Sequence, residues 1–587
     1  MNRLLSKKGK LILVAAIIAL GFFLRAYHFS DWLHFELDQS RDAKVIDLAV
    51  KEGPGQLPLL GPKAAGSFLR LGPVFYYFKY LSALMFGDTP SGMAMIIMIF
   101  GILAIPAFYI LVRRYFNKWI SIALLLIFST SLFLIMYSRF SWNPNALPLF
   151  TILTFYSLLR AVDKEEKRKG TWLLLGSFCL AVATQLHFLA FVSVPVIALA
   201  FIIIKRPKIK WAYWAGAIGI ILLMNFPVIL NEIKTGGDNF KEFKAVVTGK
   251  SDGDKKKSLF EKIARNYEEH SANYFLILSS QNSEFPKITQ KPSLDIKCDE
   301  KCHKGLPLGV AGLIIITAGL LFLLRSIIFE KDHKKKDFLI ISGLWFLVSF
   351  GLFIPLAFDI SPRFWLLVSA LPFIFLGFTF ELLKKITPKK FSLVLITIII
   401  LGLASSNLYQ TYKRFNELGN ASSQAVKVSA DRILRENQRV TLEQQYLIID
   451  YIESFYKKNS YPVYLNSDPY YRRSFLYHMD KRNIPRDDFR NATISGKVYK
   501  NGNYFLVYPT NSDLDEEINK YSKVYAVGEE KQFGTLTVIP LIPKAEAINA
   551  IQQEFEPGDN VIKKPGVPKR YTWEEIFNSA EEEENGE

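Results

Sequence analysis

The sequence predicts a polytopic α-helical membrane protein of about eleven transmembrane helices, with a small soluble α/β domain at its C-terminus. Three observations carry the architecture. Half of the 587 residues are apolar, and they gather into long runs without charge. The charged residues crowd the connectors between those runs. After about residue 412 the long runs stop, and short helix-like and strand-like pieces alternate.

The spans come first. A helix needs roughly 20 apolar residues to cross a hydrocarbon core about 30 Å thick. Runs of that kind lie at 10–29, 91–112, 119–138, 140–159, 211–231, 305–324, 338–358, 364–380 and 391–412. The opening MNRLLSKKGK before Leu11–Leu24 looks like a signal peptide, but no small-residue cleavage site follows, so the first span is expected to stay uncleaved. Thr171–Ile204 runs 34 residues without Asp, Glu, Lys or Arg. That is too long for one crossing and fits two, with a polar break at Gln185-Leu186-His187.

Orientation follows from the basic residues, which favour cytoplasmic loops. Arg113, Arg114 and Lys118, then Lys164–Lys169, Lys205–Lys210, Lys334–Lys336 and Lys384–Lys390 fall in alternate connectors. The intervening short turns hold just Arg139 and Arg363. The net charge of +18 is therefore a topology signal, and with no nucleic-acid-binding motif present no nucleic-acid partner is expected. The expectation is a multi-pass plasma-membrane protein with a cytoplasmic N-terminus. Its transmembrane domain covers 1–412 and an extracytoplasmic domain covers 413–587.

Three large segments then face outward: 31–90, 232–304 and the C-terminal region. Both halves of 31–90 are amphipathic, and Phe75-Tyr76-Tyr77-Phe78 suits a lipid–water interface, so short surface helices are expected there. In the C-terminal region Gln444–Lys458 and Tyr470–Lys481 read as helices. Pro462–Leu465, Tyr504–Tyr508, Lys523–Val527 and Thr535–Ile539 read as strands, and the tail EEEENGE as disordered. Cys298 and Cys302 sit as CDEKCH in the second outer segment, where a disulfide, inert thiols or a metal site are the open readings. Cys179 lies inside a span and suits packing.

The polar residues at the outer ends of the spans are the candidates for chemistry. In Glu36-Leu37-Asp38-Gln39-Ser40-Arg41-Asp42 a helix starting at Asp38 puts Asp38 and Asp42 on one face, one turn apart. Two carboxylates flanking an Arg can hold a divalent ion or set up a general base. Equally, Asp38 can cap the helix. Arg139, with Trp142, Asn143 and Asn145, occupies a very short turn between two spans. Gln185 and His187 occupy the next outer turn, and Asp359 and Arg363 precede a late span. One Arg at an interface is an ordinary snorkelling anchor. Acid, base, amide and guanidinium groups from four spans together suggest one outward-facing polar cavity.

The order of these elements resembles the dolichyl-phosphate-mannose protein mannosyltransferase superfamily, glycosyltransferase family 39, which includes the lipid A aminoarabinose transferases. The resemblance rests on Asp38-Gln39-Ser40-Arg41-Asp42-Ala43, Leu71-Gly72-Pro73-Val74-Phe75-Tyr76-Tyr77, Ser138-Arg139 with Trp142-Asn143-Pro144-Asn145, and Arg363-Phe364-Trp365 before Leu371-Pro372. It covers about residues 1–412. It implies an inverting transferase that takes a sugar from a polyprenyl-phosphate donor in the membrane lipid and passes it to an extracytoplasmic acceptor. On that basis Asp38 is the general base, with Asp42 its neighbour or partner on a metal. Arg70, Arg139 and Arg363 are expected to contact the donor phosphate. Glu36, Arg41, Trp142, Asn143, Asn145, Gln185, His187 and Asp359 are expected to border the sugar and acceptor. The family's Asp-Glu pair is Asp38-Gln39 here, and Asn143 or Asn145 stands where many members carry Asp. Fewer carboxylates weaken the case for a divalent metal, the one cofactor in view, and Arg70 falls one position early against the family pattern. A transporter would need polar groups at mid-membrane depth, and an envelope-assembly scaffold would leave the 31–90 loop dispensable.

Overall fold

Lys7–Ala26 forms α1, a single apolar helix whose chain then turns sharply through His28 in a left-handed conformation (φ 46°). The computed structural model describes residues 7–64, 67–248, 257–290, 294–428, 431–489, 496–553 and 569–584. The 31–90 segment folds into two helices, α2 (Leu37–Glu52) and α3 (Val74–Phe86). The N-cap of α2 is Glu36, whose N–H donates to Gln39 Oε1 at 3.2 Å in a capping box. Asp38 is therefore free of the cap role. One side of α3 is buried through Phe75, Tyr76 and Lys79, while Leu81, Leu84, Met85 and Phe86 are exposed. That split suits a helix at a lipid–water boundary.

The next helices are α4 (Pro90–Val112), α5 (Lys118–Thr130), α6 (Leu132–Tyr137), α7 (Leu147–Val162), α8 (Lys169–Leu186), α9 (Phe188–Lys205) and α10 (Trp211–Thr235). The 232–304 segment carries α11 (Asp238–Thr248), α12 (Leu259–Ser279) and a hairpin of β1 (Lys287–Gln290) and β2 (Leu294–Lys297). Then come α13 (Glu300–Phe329), α14 (His333–Phe353), α15 (Leu371–Ile386) and α16 (Lys389–Asn420).

Among the described residues eight helices are long and apolar enough to cross a membrane. The 3-10 turn Pro362–Val368 and α15, joined at a 57° bend, pass the same test only as a pair, and make a ninth if the two count as one broken span. The two further crossings expected are helical but depart from a simple span. The expected span 119–138 is broken at Ser131, where Ser131 Oγ donates to Ile277 O at 2.6 Å and Leu132 N to Ser280 Oγ at 3.2 Å. The end of α12 thus replaces a missing turn of helix. The helix α8 is 18 residues long but less apolar than the others. Its direction is fixed by its neighbours. Gly170 at its start lies against the Tyr213 ring near the start of α10, and Gln185 at its end donates to Met224 O at 2.9 Å further along α10. So α8 and α10 run parallel, and α9, which joins them, must return the other way. The break expected at 185–187 is a real reversal: His187 is extended between the two helices.

The basic connectors meet on one face. Arg114 pairs with Asp163 at 2.8 Å, Lys334 with Glu165, and Lys205 with Asp337. On the opposite face α16 runs past its apolar stretch to Asn420 and leads into the C-terminal domain. There α17 (Leu442–Asn459) and α18 (Arg472–Lys481) pack on a six-stranded sheet. Its strands are β3 (Val463–Ser467), β4 (Arg486–Asp488), β5 (Asn503–Pro509), β6 (Tyr525–Val527), β7 (Lys531–Phe533) and β8 (Leu536–Pro543). The order is β4-β3-β5-β8-β6, with β7 also on β8; β3 is parallel to β4 and β5, and the pairs with β8 are antiparallel. Every residue of β3 is buried. Ile448, Ile452, Phe475 and Met479 cover one face of the sheet, and Tyr464, Phe489, Tyr504 and Tyr525 form a second core on the other. A short helix, α19 (Leu514–Asn519), borders that second core.

This domain is clamped to the 31–90 segment. Phe35 O accepts from Gln445 Nε2 at 2.8 Å and from Ser474 Oγ at 3.0 Å, and Lys481 bridges Asp47 and Asp88. The last element, α20 (Trp573–Glu584), carries the acidic tail that read as disordered; it is helical as far as Glu584, and residues 585–587 lie outside the described residues. Cys298 and Cys302 form a disulfide, which decides between the readings left open by their spacing, and Cys179 is free and buried.

Candidate active site

Asp38 sits in the first turn of α2 with its side chain 40% exposed, held from two sides. Its Oδ1 accepts from Arg41 Nη1 at 2.9 Å and its Oδ2 from Trp142 Nε1 at 3.1 Å. Trp142 comes from the short turn between α6 and α7, and its ring carries the Arg363 guanidinium 4.9 Å from its centroid. Asp38, Trp142 and Arg363 open onto one cavity of about 250 Å³, with His34, Glu36, Tyr137, Arg435 and Tyr470 also on its wall. The C-terminal domain thus supplies part of the wall. Arg435, left-handed at φ 59°, donates to Ile360 O at 2.9 Å, and Tyr137 OH donates to Ile433 O at 2.7 Å.

His34 ties that wall together, with Nε2 3.1 Å from Glu36 and Nδ1 2.9 Å from Glu436. Burial opposes a charged imidazole, but Glu36 and Glu436 outweigh it and raise His34 to about 10. Glu436 also meets Arg414 and Arg439, which share Asp431. Burial would push the Glu436 carboxyl up. Arg414, His34 and Arg439 instead hold it well below the usual range.

On the far side of Arg41 lies a second charged group. Arg41 bonds Asp42 through Nε at 2.9 Å and Nη2 at 2.8 Å, and Tyr76 OH donates to the same Asp42 oxygen at 3.1 Å. Asp42 is fully buried and does not share Asp38's cavity. The two carboxylates are bound to opposite ends of one guanidinium, an arrangement that does not present both to one ion. Among the described residues no group of three or more His, Cys, Asp or Glu gathers in metal-holding geometry. Arg70 lies within electrostatic reach of Arg41 and Asp42, its Nη1 donating to Gly61 O at 3.1 Å.

Most of the other predicted site residues hydrogen-bond to nearby backbone. Arg139 turns away from the cavity: its guanidinium donates to Arg25 O at 2.8 Å and His28 O at 3.2 Å, capping the carbonyl end of α1. Gln185 Oε1 accepts from Val74 N at 3.3 Å and packs where a Cβ on Gly72 would fall, so it seats the start of α3. Asn143 donates to Leu186 O and Asn145 to Phe140 O, fixing the turn that presents Trp142. His187 caps α9 by accepting from Leu189 N at 3.2 Å, with its ring edge on Phe364. Asp359 is exposed, within electrostatic reach of Arg363. His34, Tyr137, Arg435 and Tyr470 were missed. An aromatic and a cation in a distant soluble domain give no local signal.

A family model, dolichyl-phosphate-mannose-protein mannosyltransferase, matches residues 70–230. No curated protein sequence matches significantly. Among solved structures, ArnT from Cupriavidus metallidurans in the apo state aligns with a TM-score of 0.51 at 11% identity, over 92% of this chain and 98% of that one. The same protein bound to undecaprenyl phosphate aligns with a TM-score of 0.51 at 11% identity, over 93% and 100%. The apo oligosaccharyltransferase of Archaeoglobus fulgidus gives 0.49 at 11% identity, over 92% and 75%. Fold and family match together define a class: a membrane glycosyltransferase architecture of the C type. Within it, the chain is similar to the mannosyltransferase family model over 70–230 and shares the ArnT fold over about nine-tenths of its length.

Proposed function

We propose that this protein moves a sugar from a polyprenyl-phosphate carrier to an acceptor on the outer face of the membrane, with Asp38 as general base. One observation carries the reading: Asp38 lines an open cavity, with one oxygen held by the Arg41 guanidinium and the other by Trp142 on the cavity wall. An acceptor hydroxyl or amine entering the cavity gives its proton to Asp38 as it attacks the anomeric carbon from the side away from the phosphate. The bond from that carbon to the phosphate oxygen breaks, and the carrier phosphate leaves. A single displacement inverts the anomeric carbon.

The leaving phosphate gains negative charge as the bond breaks, so fixed cations help the transition state more than the ground state. Arg41 and Arg70 lie on that side, and their planar forks suit phosphate oxygens. Arg363, expected at the donor phosphate, stacks on Trp142 over the Asp38 cavity, and we assign it to the sugar and acceptor instead. The relative that binds undecaprenyl phosphate supports a carrier of that class. The gathered basic connectors support a cytoplasmic face opposite the cavity, with the C-terminal domain outside.

The test is purified protein in lipid, supplied with labelled polyprenyl-phosphate sugars and a membrane extract. Transfer of label with release of carrier phosphate is expected for one donor. No sugar consumed from any donor refutes the reading.

A further inference from the structure

Residues 569–584 return to the outer edge of the transmembrane region and bind it by backbone as well as side chain. Leu59 N donates to Tyr571 O at 2.9 Å, Trp573 N to Leu57 O at 3.3 Å, and Tyr571 N to Asn231 Oδ1 at 3.1 Å. Trp573 Nε1 donates to Tyr77 OH at 3.0 Å, and the Trp573 ring stacks on Phe226 of α10. Phe226 and Phe577 remain exposed beside it. That apolar ridge continues the exposed side of α10, so this C-terminal strap sits where lipid meets protein.

The strap brings Arg570 to Tyr76. Its Nη1 donates to Tyr76 OH at 3.4 Å and its guanidinium lies 5.6 Å from the ring centroid. Tyr76 in turn donates to Asp42, which Arg41 also holds. Arg70 is within electrostatic reach of both Arg570 and Arg41; burial first, and then those guanidiniums, lower it to about 10. The buried Lys79 ammonium is a fourth cation beside Asp42. Four cations against two carboxylates, Asp38 and Asp42, leave two positive charges uncompensated. Among the described residues neither Arg70 nor Arg570 makes an ion pair with a carboxylate. Like charges gathered in a partly buried place repel one another. A chain that builds such a cluster has an anion to put there.

We propose that Arg570, delivered by the C-terminal strap, joins Arg41 and Arg70 in one pocket for the phosphate of a polyprenyl carrier. This rests on the function proposed above, and it adds a ligand group from the far end of the chain. A carrier phosphate leaving with two negative charges matches the two uncompensated positive ones. The apolar ridge of Phe226, Trp573 and Phe577 lies beside the pocket, along the path of the carrier's first isoprene units.

Binding of undecaprenyl phosphate, undecaprenol and inorganic phosphate to the full-length protein in lipid nanodiscs tests this, with thermal unfolding followed in parallel. Wild type is expected to bind the lipid phosphate well above either control. Arg570→Ala is expected to weaken lipid-phosphate binding about tenfold or more, with undecaprenol binding and the unfolding midpoint unchanged. Arg570→Gln keeps a donor to Tyr76 and should lose nearly as much, whereas Arg570→Lys should keep most of it. Trp573→Ala, which unseats the strap with Arg570 intact, should reproduce the loss. If Arg70→Ala loses binding while both Arg570→Ala and Arg570→Gln bind as wild type does, the strap has no part in the pocket and the proposed function survives. If wild type itself does not prefer the lipid phosphate to undecaprenol, the donor reading fails and this inference with it. Equal affinity for inorganic phosphate makes the cluster a general anion site and overturns the assignment to a carrier.

Discussion

Replacing Asp38 by Asn removes the proposed proton acceptor with little change of shape. Both oxygens of Asp38 are engaged, one by Arg41 at 2.9 Å and one by Trp142 at 3.1 Å. The amide keeps one acceptor, so one of those bonds survives and the other is lost, at a cost of about 1–3 kcal/mol. Arg41 does not come free, because Asp42 holds it at two further nitrogens. The cationic side of the site therefore persists, with one negative charge fewer beside it. Donor affinity is expected to hold or rise slightly. Loss of a general base costs about 10²–10⁴-fold in rate, or about 2.7–5.5 kcal/mol of barrier at about 1.36 kcal/mol per tenfold. The assay is the initial rate of sugar transfer at saturating donor, with carrier-phosphate affinity measured separately on the same preparation. A fall in kcat of that size with donor affinity retained is the expected split. Turnover within about tenfold of wild type, in a variant with normal unfolding, refutes Asp38 as the base and turns attention to Glu36 on the same cavity.

Further outcomes follow from other parts of the structure. Arg139→Ala should lower stability by about 1–3 kcal/mol, because it strips the donor from the carbonyl end of α1; unfolding should shift while KM for donor stays put. His34 is raised to about 10 by Glu36 and Glu436 against burial, above its ordinary value of about 6.5. Its bridge is at full strength below pH 6.5 and is lost as pH climbs through 10. The unfolding midpoint should fall across that window, and His34→Gln should flatten the fall. Single cysteines at 167, 335 and 500, in a chain lacking its native three, should react with an impermeant thiol reagent in intact cells at 500 alone. Labelling at 335 instead would invert the proposed topology.

The parts of the fold carried by local pattern were legible. Hydropathy is a property of neighbouring residues, so the spans, and even the reversal at Gln185-Leu186-His187, could be read from one stretch. Short apolar runs rich in β-branched and aromatic residues did the same for β3, β5 and β8. The break at Ser131 was not legible, because its partners Ile277 and Ser280 belong to a distant helix. In the candidate site the limits are directional. Arg139 and Arg363 look alike in sequence, each a lone Arg at the outer end of a span. One faces the carbonyls of α1 and the other a cavity, and which way a helix end is turned depends on packing across the bundle. Asp42 read as sharing a helix face with Asp38, yet a single Arg separates them into a buried and an open half. Arg435, Tyr470 and Arg570 lie in segments with no motif, and reach the site only through tertiary folding.

The cavity beside Asp38 is closed on one side by Leu434, Arg435 and Tyr470, and that has a consequence for how the protein is made. A ribosome delivers the carboxylate early and this wall late. During synthesis and membrane insertion Asp38 is present without this wall, so the cavity is complete only once residues 434–470 have been made and folded against it. A message truncated before Leu434, or a chain clipped by a protease upstream of it, keeps the carboxylate and the helices around it but lacks that side of the cavity.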